Sequence, residues 1–180
     1  MVKRFALVAA VLSGFLLGTL TIIQHGADQR SDVLYAQLMG VHHGQAVEMA
    51  LTEMNAGNDP ELILIATDSL LTQQNQVGRF QQFLAERSAP VAAGEAHAMP
   101  GMATPEEMSQ LRGSSGVETD RLFIELMIRH HQGGVRMSEE MLDGLDGQMK
   151  RLAVSVIASQ QSEIDRLQEL AATLPLANTP

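Results

Sequence analysis

The sequence predicts an all-α protein, a four-helix bundle built from two repeated helical hairpins with a long crossover. Three observations point there. The chain repeats itself at a long shift, its apolar residues recur at helical spacing, and aromatic residues make up only 3% of it. No segment alternates as a strand. Few aromatics also argue against a sheet, a base-stacking platform or a sugar cleft.

The repeat is dense. Asp32, Tyr35, Leu38, Met39, His42, His43, Val47 and Met49 recur 88 positions later as Asp120, Phe123, Leu126, Met127, His130, His131, Val135 and Met137. At a shift of 87, Glu53, Met54, Gly57, Asp59, Ala66, Gln73, Gln74 and Arg79 match Glu140, Met141, Gly144, Asp146, Ala153, Gln160, Gln161 and Arg166. Such a unit buries its face against its own copy.

Each unit reads as two helices. Repeat one covers 30–87. Ser31 can cap a helix that runs to about Asn55 and ends at Gly57. Asp59 and Pro60 open the next, since proline suits the first helical position, and it runs to about Arg87. Repeat two covers 118–175. Ser115 and Glu118 form a capping-box pattern, and that helix runs to about Asp143. Asp146 opens the last helix and Pro175 stops it. Leu62, Ile65, Ala66, Ser69 and Leu70 keep helical spacing, as do Leu152, Val156, Ile157, Ile164 and Leu167.

Residues 88–117 link the units and are rich in Ala, Gly, Pro and Met. Thr104, Pro105 and Glu107 can start a short helix within them. A 26-residue helix is roughly 39 Å long. An extended linker from Ser88 to Ala103 spans roughly 50 Å. The chain can therefore run the length of the bundle and restart at the other end, giving up-down-down-up topology.

Before residue 28 the chain reads as a targeting segment. Lys3 and Arg4 precede an uncharged run from Phe5 to Ile23, 19 residues, just enough for a bilayer core. Residues 1–27 are expected to be an uncleaved membrane anchor, or else a cleaved signal peptide, although no clean A-x-A site follows. Either reading exports residues 28–180, with Lys3 and Arg4 staying inside and the remainder facing outward. The net charge is −9, and Lys3 and Arg4 are the only charges before Asp28, so the exported part carries 10 basic and 21 acidic residues. Such a body repels nucleic acid and attracts cations. With no cysteine, thiolate chemistry, disulfides and iron–sulfur clusters are excluded.

The chemistry-bearing motif is D-x2-[FY]-x3-M-x2-H-H-x3-V-x-M, present twice. At about 100° per residue, Asp32, Met39 and His43 share one helix face, and Tyr35, His42 and Met49 a neighbouring one. Met39 and His43 are i,i+4 neighbours, as are Met127 and His131; His130 and Met137 lie beside the latter pair. Imidazole and thioether without thiolate suit copper, above all Cu(I), better than calcium or magnesium. Adjacent histidines point about 100° apart, so one helix cannot easily chelate an ion with both. The bland alternative is a core histidine bonded to a neighbour, with methionine as core filler. Two facing His-His pairs disfavour it, because a bound cation requires the neutral rings that crowding also requires.

Asp32 and Asp120 near helix starts suit the dipole, or orient a histidine of another helix. Gln74, Gln161 and Glu163 read mostly as exposed face, whereas Gln73 and Gln160 are candidates to bond buried imidazoles. His97, Met99 and Met102 in the linker can capture soft ions, or merely happen to lie there.

The doubled M-x2-H-H-x3-[AG]-V-x-M helices, the stretch Asp120 to His131 and the stretch Ser159 to Ile164 resemble the "domain of unknown function 305" family, over about 30–175. The resemblance implies a ferritin-like bundle and an exported bacterial protein that handles copper in the periplasm or at the outer face of the cytoplasmic membrane. It implies His42, His43, Met39, Met49, His130, His131, Met127 and Met137 as ligands. Gly40-Val41 stands where the second unit has Ile128-Arg129, and Gln76 where it has Glu163, so the first unit is expected to be the weaker site. Function then divides three ways: a non-enzymatic copper binder, a structural or partner-binding bundle with core histidine pairs, and a ferritin-like di-iron enzyme. The last needs Glu-x-x-His, which the chain lacks. Oligomeric state is not legible.

Overall fold

Local signals set most of the helix ends. A computed structural model describes residues 30–91 and 99–173. The N-terminal segment, His97 and Pro175 lie outside the described residues. These contain five α-helices and no strand. Helix α1 covers 30–56, so Ser31 lies inside it rather than capping it. Gly57 ends it: its amide donates to the Glu53 carbonyl, and a Cβ there would stand 2.7 Å from that oxygen. Helix α2, Pro60–Glu86, starts as expected, with the Asp59 side chain accepting from the Glu61 and Leu62 amides. Helix α3, Pro105–Gly113, carries a complete capping box between Thr104 and Glu107.

Helix α4, Val117–Met141, departs from expectation at its start. Gly116, not Ser115, is the N-cap, and no side chain caps it. Gly116 adopts φ 62°, which glycine tolerates, and its amide donates to the Ala56 carbonyl at the end of α1. A tertiary bond thus fixes an end that local pattern assigned to serine. A 3₁₀ turn, Leu142–Gly144, leads to α5, Gly147–Thr173.

Contacts between α1 and α4 set the architecture. Tyr35 meets Ser138, His42 meets His130, and Ala56 meets Gly116. As α1 numbers rise, their α4 partners fall, so the two motif helices are antiparallel. Their hairpin partners, α2 and α5, pack on each other. Asp32 and Asp120 close the hairpin ends. Asp32 accepts from the Asp146 amide ahead of α5, and Asp120 from the Asn58 and Asp59 amides ahead of α2.

Among the described residues the core forms two apolar clusters. One holds Met49, Leu62, Ile65, Phe123, Leu126 and Met127. The other holds Tyr35, Met39, Phe80, Phe83, Met137 and Leu152. Each fully buried large side chain contributes about 1.5–3 kcal/mol. Ile157 is only half-buried. No helix among the described residues is long and apolar enough to cross a membrane.

Candidate metal centre

The four motif histidines are fully buried where α1 crosses α4. His42 and His130 stack with ring centroids 3.8 Å apart. His43 lies 6.4 Å from His42, and His131 6.0 Å from His130. Phe80 walls the cluster, edge-on to both His43 and Tyr35.

Every ring uses its Nε2–H in the same way. His42 donates to the Pro100 carbonyl at 3.0 Å, and His130 to the His42 carbonyl at 3.0 Å. His43 donates to Gln76 Oε1 at 2.6 Å, and His131 to Glu163 Oε2 at 2.6 Å. Because all four partners are oxygens, each ring keeps its proton on Nε2. All four Nδ1 atoms are then buried without a hydrogen-bond partner. A buried acceptor without a donor costs about 1–3 kcal/mol. Burial pushes His42 down to about 4 and His43 to about 3; neighbouring imidazoles add to both. Burial, with the charges of the other three histidines, drives His130 well below its ordinary value. These rings are neutral at pH 7, with a lone pair on Nδ1.

Methionine flanks the cluster on both sides. Met39 and Met137 belong to one apolar cluster, Met49 and Met127 to the other, and all four are buried. Each side therefore draws one thioether from α1 and one from α4. Among the described residues, no three His, Asp or Glu side chains converge to hold an ion. An ion here would need sulfur in its shell. Two imidazoles with thioethers form a soft, neutral donor set.

The residues around the rings differ from those expected. Gln73 and Gln160 are buried but do not bond the imidazoles: Gln73 Oε1 and both polar atoms of the Gln160 amide have no partner. Gln160 lies flat on α4, where a Cβ at Gly134 would fall 2.3 Å from its Oε1. The imidazole acceptors are Gln76 and Glu163, one helical turn further on. Glu163 is buried, not an exposed-face residue, whereas Gln74 and Gln161 are exposed. Asp120 accepts from the amides of the α2 turn, and Asp32 from the amide that precedes α5. The signal for Gln76 and Glu163 was present: the 87-residue shift superposes them as an amide and its carboxylate analogue.

The linker is a strap across this centre. The Pro100 carbonyl accepts the hydrogen bond from His42 Nε2–H. Gln45 clamps Ala103 twice, amide to carbonyl and carbonyl to amide. Gly101, at φ 78°, rests on Gly133, where a Cβ would fall 2.0 Å from the Pro100 oxygen. Met99 packs on the second apolar cluster and Met102 is buried within the strap. An open cleft of about 450 Å³ outside the strap is lined by Glu107, Arg129 and Arg136 and contains no motif histidine.

Comparisons with known proteins agree on the fold. The family described as "Domain of unknown function (DUF305)" matches residues 32–171. A DUF305 protein from Streptomyces coelicolor is 35% identical, with TM-score 0.74, over 79% of this chain and 91% of its own. A DUF305 fragment from Deinococcus radiodurans is 31% identical, with TM-score 0.75, over 80% of this chain and 97% of its own. CopM in its Cu(I)-bound form has TM-score 0.67 at 24% identity, over 79% of this chain and 96% of its own. No curated protein matches.

Proposed function

The chain belongs to the DUF305 family, and from that premise we propose that it is an exported copper-binding protein, which buffers or passes on the ion without catalysis. One observation carries the reading: four buried imidazoles each present an Nδ1 atom that no hydrogen bond uses. Bonds from the other ring nitrogen hold them in that tautomer, as oxygen acceptors do for metal-bound histidine. His42, His43, His130 and His131 supply nitrogen, and Met39, Met49, Met127 and Met137 supply sulfur. The donor set fits Cu(I). Related structures lend support: CopM has been solved with Cu(I), Cu(II) and silver. Export rests on the N-terminal apolar run and on the Streptomyces relative, described as a candidate secreted protein. The ferritin-like bundle and the membrane anchor belong to the same proposal.

Titration of the purified chain with Cu(I) against a competing chelator tests it. Replacing His43 and His131 by Ala is expected to weaken binding at least tenfold, and unchanged affinity in a folded variant rejects the reading. A second reading, a bundle whose histidines serve only the core, is favoured by the hydrogen bond each ring already makes. It predicts a melting temperature indifferent to copper at any ratio.

A further inference from the structure

We propose that Glu163 and Gln76 set the charge preference of the histidine cluster, matching it to a monovalent soft cation, copper(I) or silver(I), over a divalent one. This rests on the copper reading above and adds the identity of the residues that select the ion. The rings of His42, His43 and His130 are neutral and the four thioethers carry no charge. Glu163 brings one negative charge into contact with the cluster. Its Oε2 accepts both the His131 Nε2–H at 2.6 Å and the Ser69 hydroxyl at 2.7 Å. The corresponding position 87 residues earlier holds Gln76, whose neutral oxygen accepts the His43 Nε2–H at 2.6 Å. Gln76 and Glu163 are 4% and 7% exposed, so water screens neither.

Charge balance then decides. A buried charge is costly unless it is compensated. A monovalent ion beside Glu163 leaves the centre neutral, whereas a divalent ion leaves one positive charge in a low-dielectric interior. A carboxylate at Gln76 would remove that excess. Both residues act through an imidazole and are positioning residues, not ligands. Partners of this kind change metal affinity by about 10–100-fold.

The test compares silver(I) and copper(II) affinities of the full chain, each by competition titration, for wild type, Glu163→Gln and Gln76→Glu. Glu163→Gln is expected to lower the ratio of copper(II) to silver(I) affinity about tenfold, and Gln76→Glu to raise it by a similar factor. Measured as copper(II) over copper(I), a tenfold change equals about 59 mV in the one-electron potential. If Glu163→Gln does not fold, Gln76→Glu decides alone. Folded variants that weaken or strengthen both ions equally overturn the proposal, since a purely structural role does not distinguish charge. A wild-type chain that takes up neither ion overturns the copper reading and this one with it, whereas wild-type uptake with an unmoved ratio overturns this one alone.

Discussion

Glu53 shows how one buried group bears on stability without touching the metal centre. It is fully buried near the end of α1, and its carboxyl oxygens lack a partner at bonding geometry. Burial first, then Asp120 and Asp59, push it up to about 8. The folded chain therefore holds a proton that the unfolded chain releases above about 4.5, and stability falls as pH rises from there toward 8. Glu53→Gln keeps the shape and removes the titration. It is expected to stabilise the chain by about 2 kcal/mol at pH 8 and to change little at pH 4, read from denaturant unfolding at the two values. Side-chain partners were the least legible level of the sequence. Gln73 and Gln76 lie one turn apart on α2, as do Gln160 and Glu163 on α5, and all four are buried. Periodicity narrows the inward face but does not fix the helix rotation to within one side chain, so the histidine acceptors were assigned a turn too early.

Elements were more legible, because caps and breakers act locally. Asp59-Pro60 and Thr104-Pro105 start α2 and α3 where the pattern puts them. The start of α4 was not legible from Ser115, because a bond from Gly116 to Ala56, 60 residues earlier, outweighs a local cap. The strap is also non-local. It breaks the symmetry of the repeat through a swap of two residues: Gly44-Gln45 follows the first histidine pair, and Gln132-Gly133 the second. Gln45 supplies the clamp on Ala103, and Gly133 supplies the bare surface on which Pro100 and Gly101 lie. Gly133→Ala puts a methyl 2.0 Å from the Pro100 oxygen and 2.8 Å from the Gly101 Cα. Both obstacles are backbone, so the strap must lift, taking with it the acceptor of the His42 proton. The variant is expected to lose about 1–3 kcal/mol, as overpacking typically costs. Amide hydrogen exchange should quicken at 99–104 while α2 keeps its protection. Unchanged exchange at the strap would show that Gly133 is not its seat.

At the scale of the whole molecule, folding, pH and ion binding are one equilibrium. The antiparallel crossing of α1 and α4 was legible from the repeat, since two copies of one motif with a long connection can face each other across a twofold. What the crossing does to the rings follows from burial. His42 at about 4, His43 at about 3 and His130, held well below its ordinary value, all titrate below their unfolded value near 6.5. In that window the unfolded chain binds protons that the folded chain refuses, so their contribution is complete above about 6.5 and is lost as pH falls toward 3. Glu53 acts in the opposite sense from about 4.5 to 8, but as one group against three. The metal-free chain is thus expected to be most stable near pH 6.5, with a steep fall on the acid side and a shallow one on the alkaline side. A bound copper(I) ion changes the acid limb. It binds the folded chain and stabilises it by about 2.7 kcal/mol when free ion is 100 times the dissociation constant. Protons compete with it at His42 and His43 only once these rings titrate, near 4 and 3, so the stabilisation should persist to pH 5 and disappear between about 4 and 3. Melting curves across pH 3–8, with and without copper(I) under reducing conditions, check both limbs. A copper-induced shift already lost at pH 6 would mean that the ion is held by ordinary, exposed histidines rather than by the buried four.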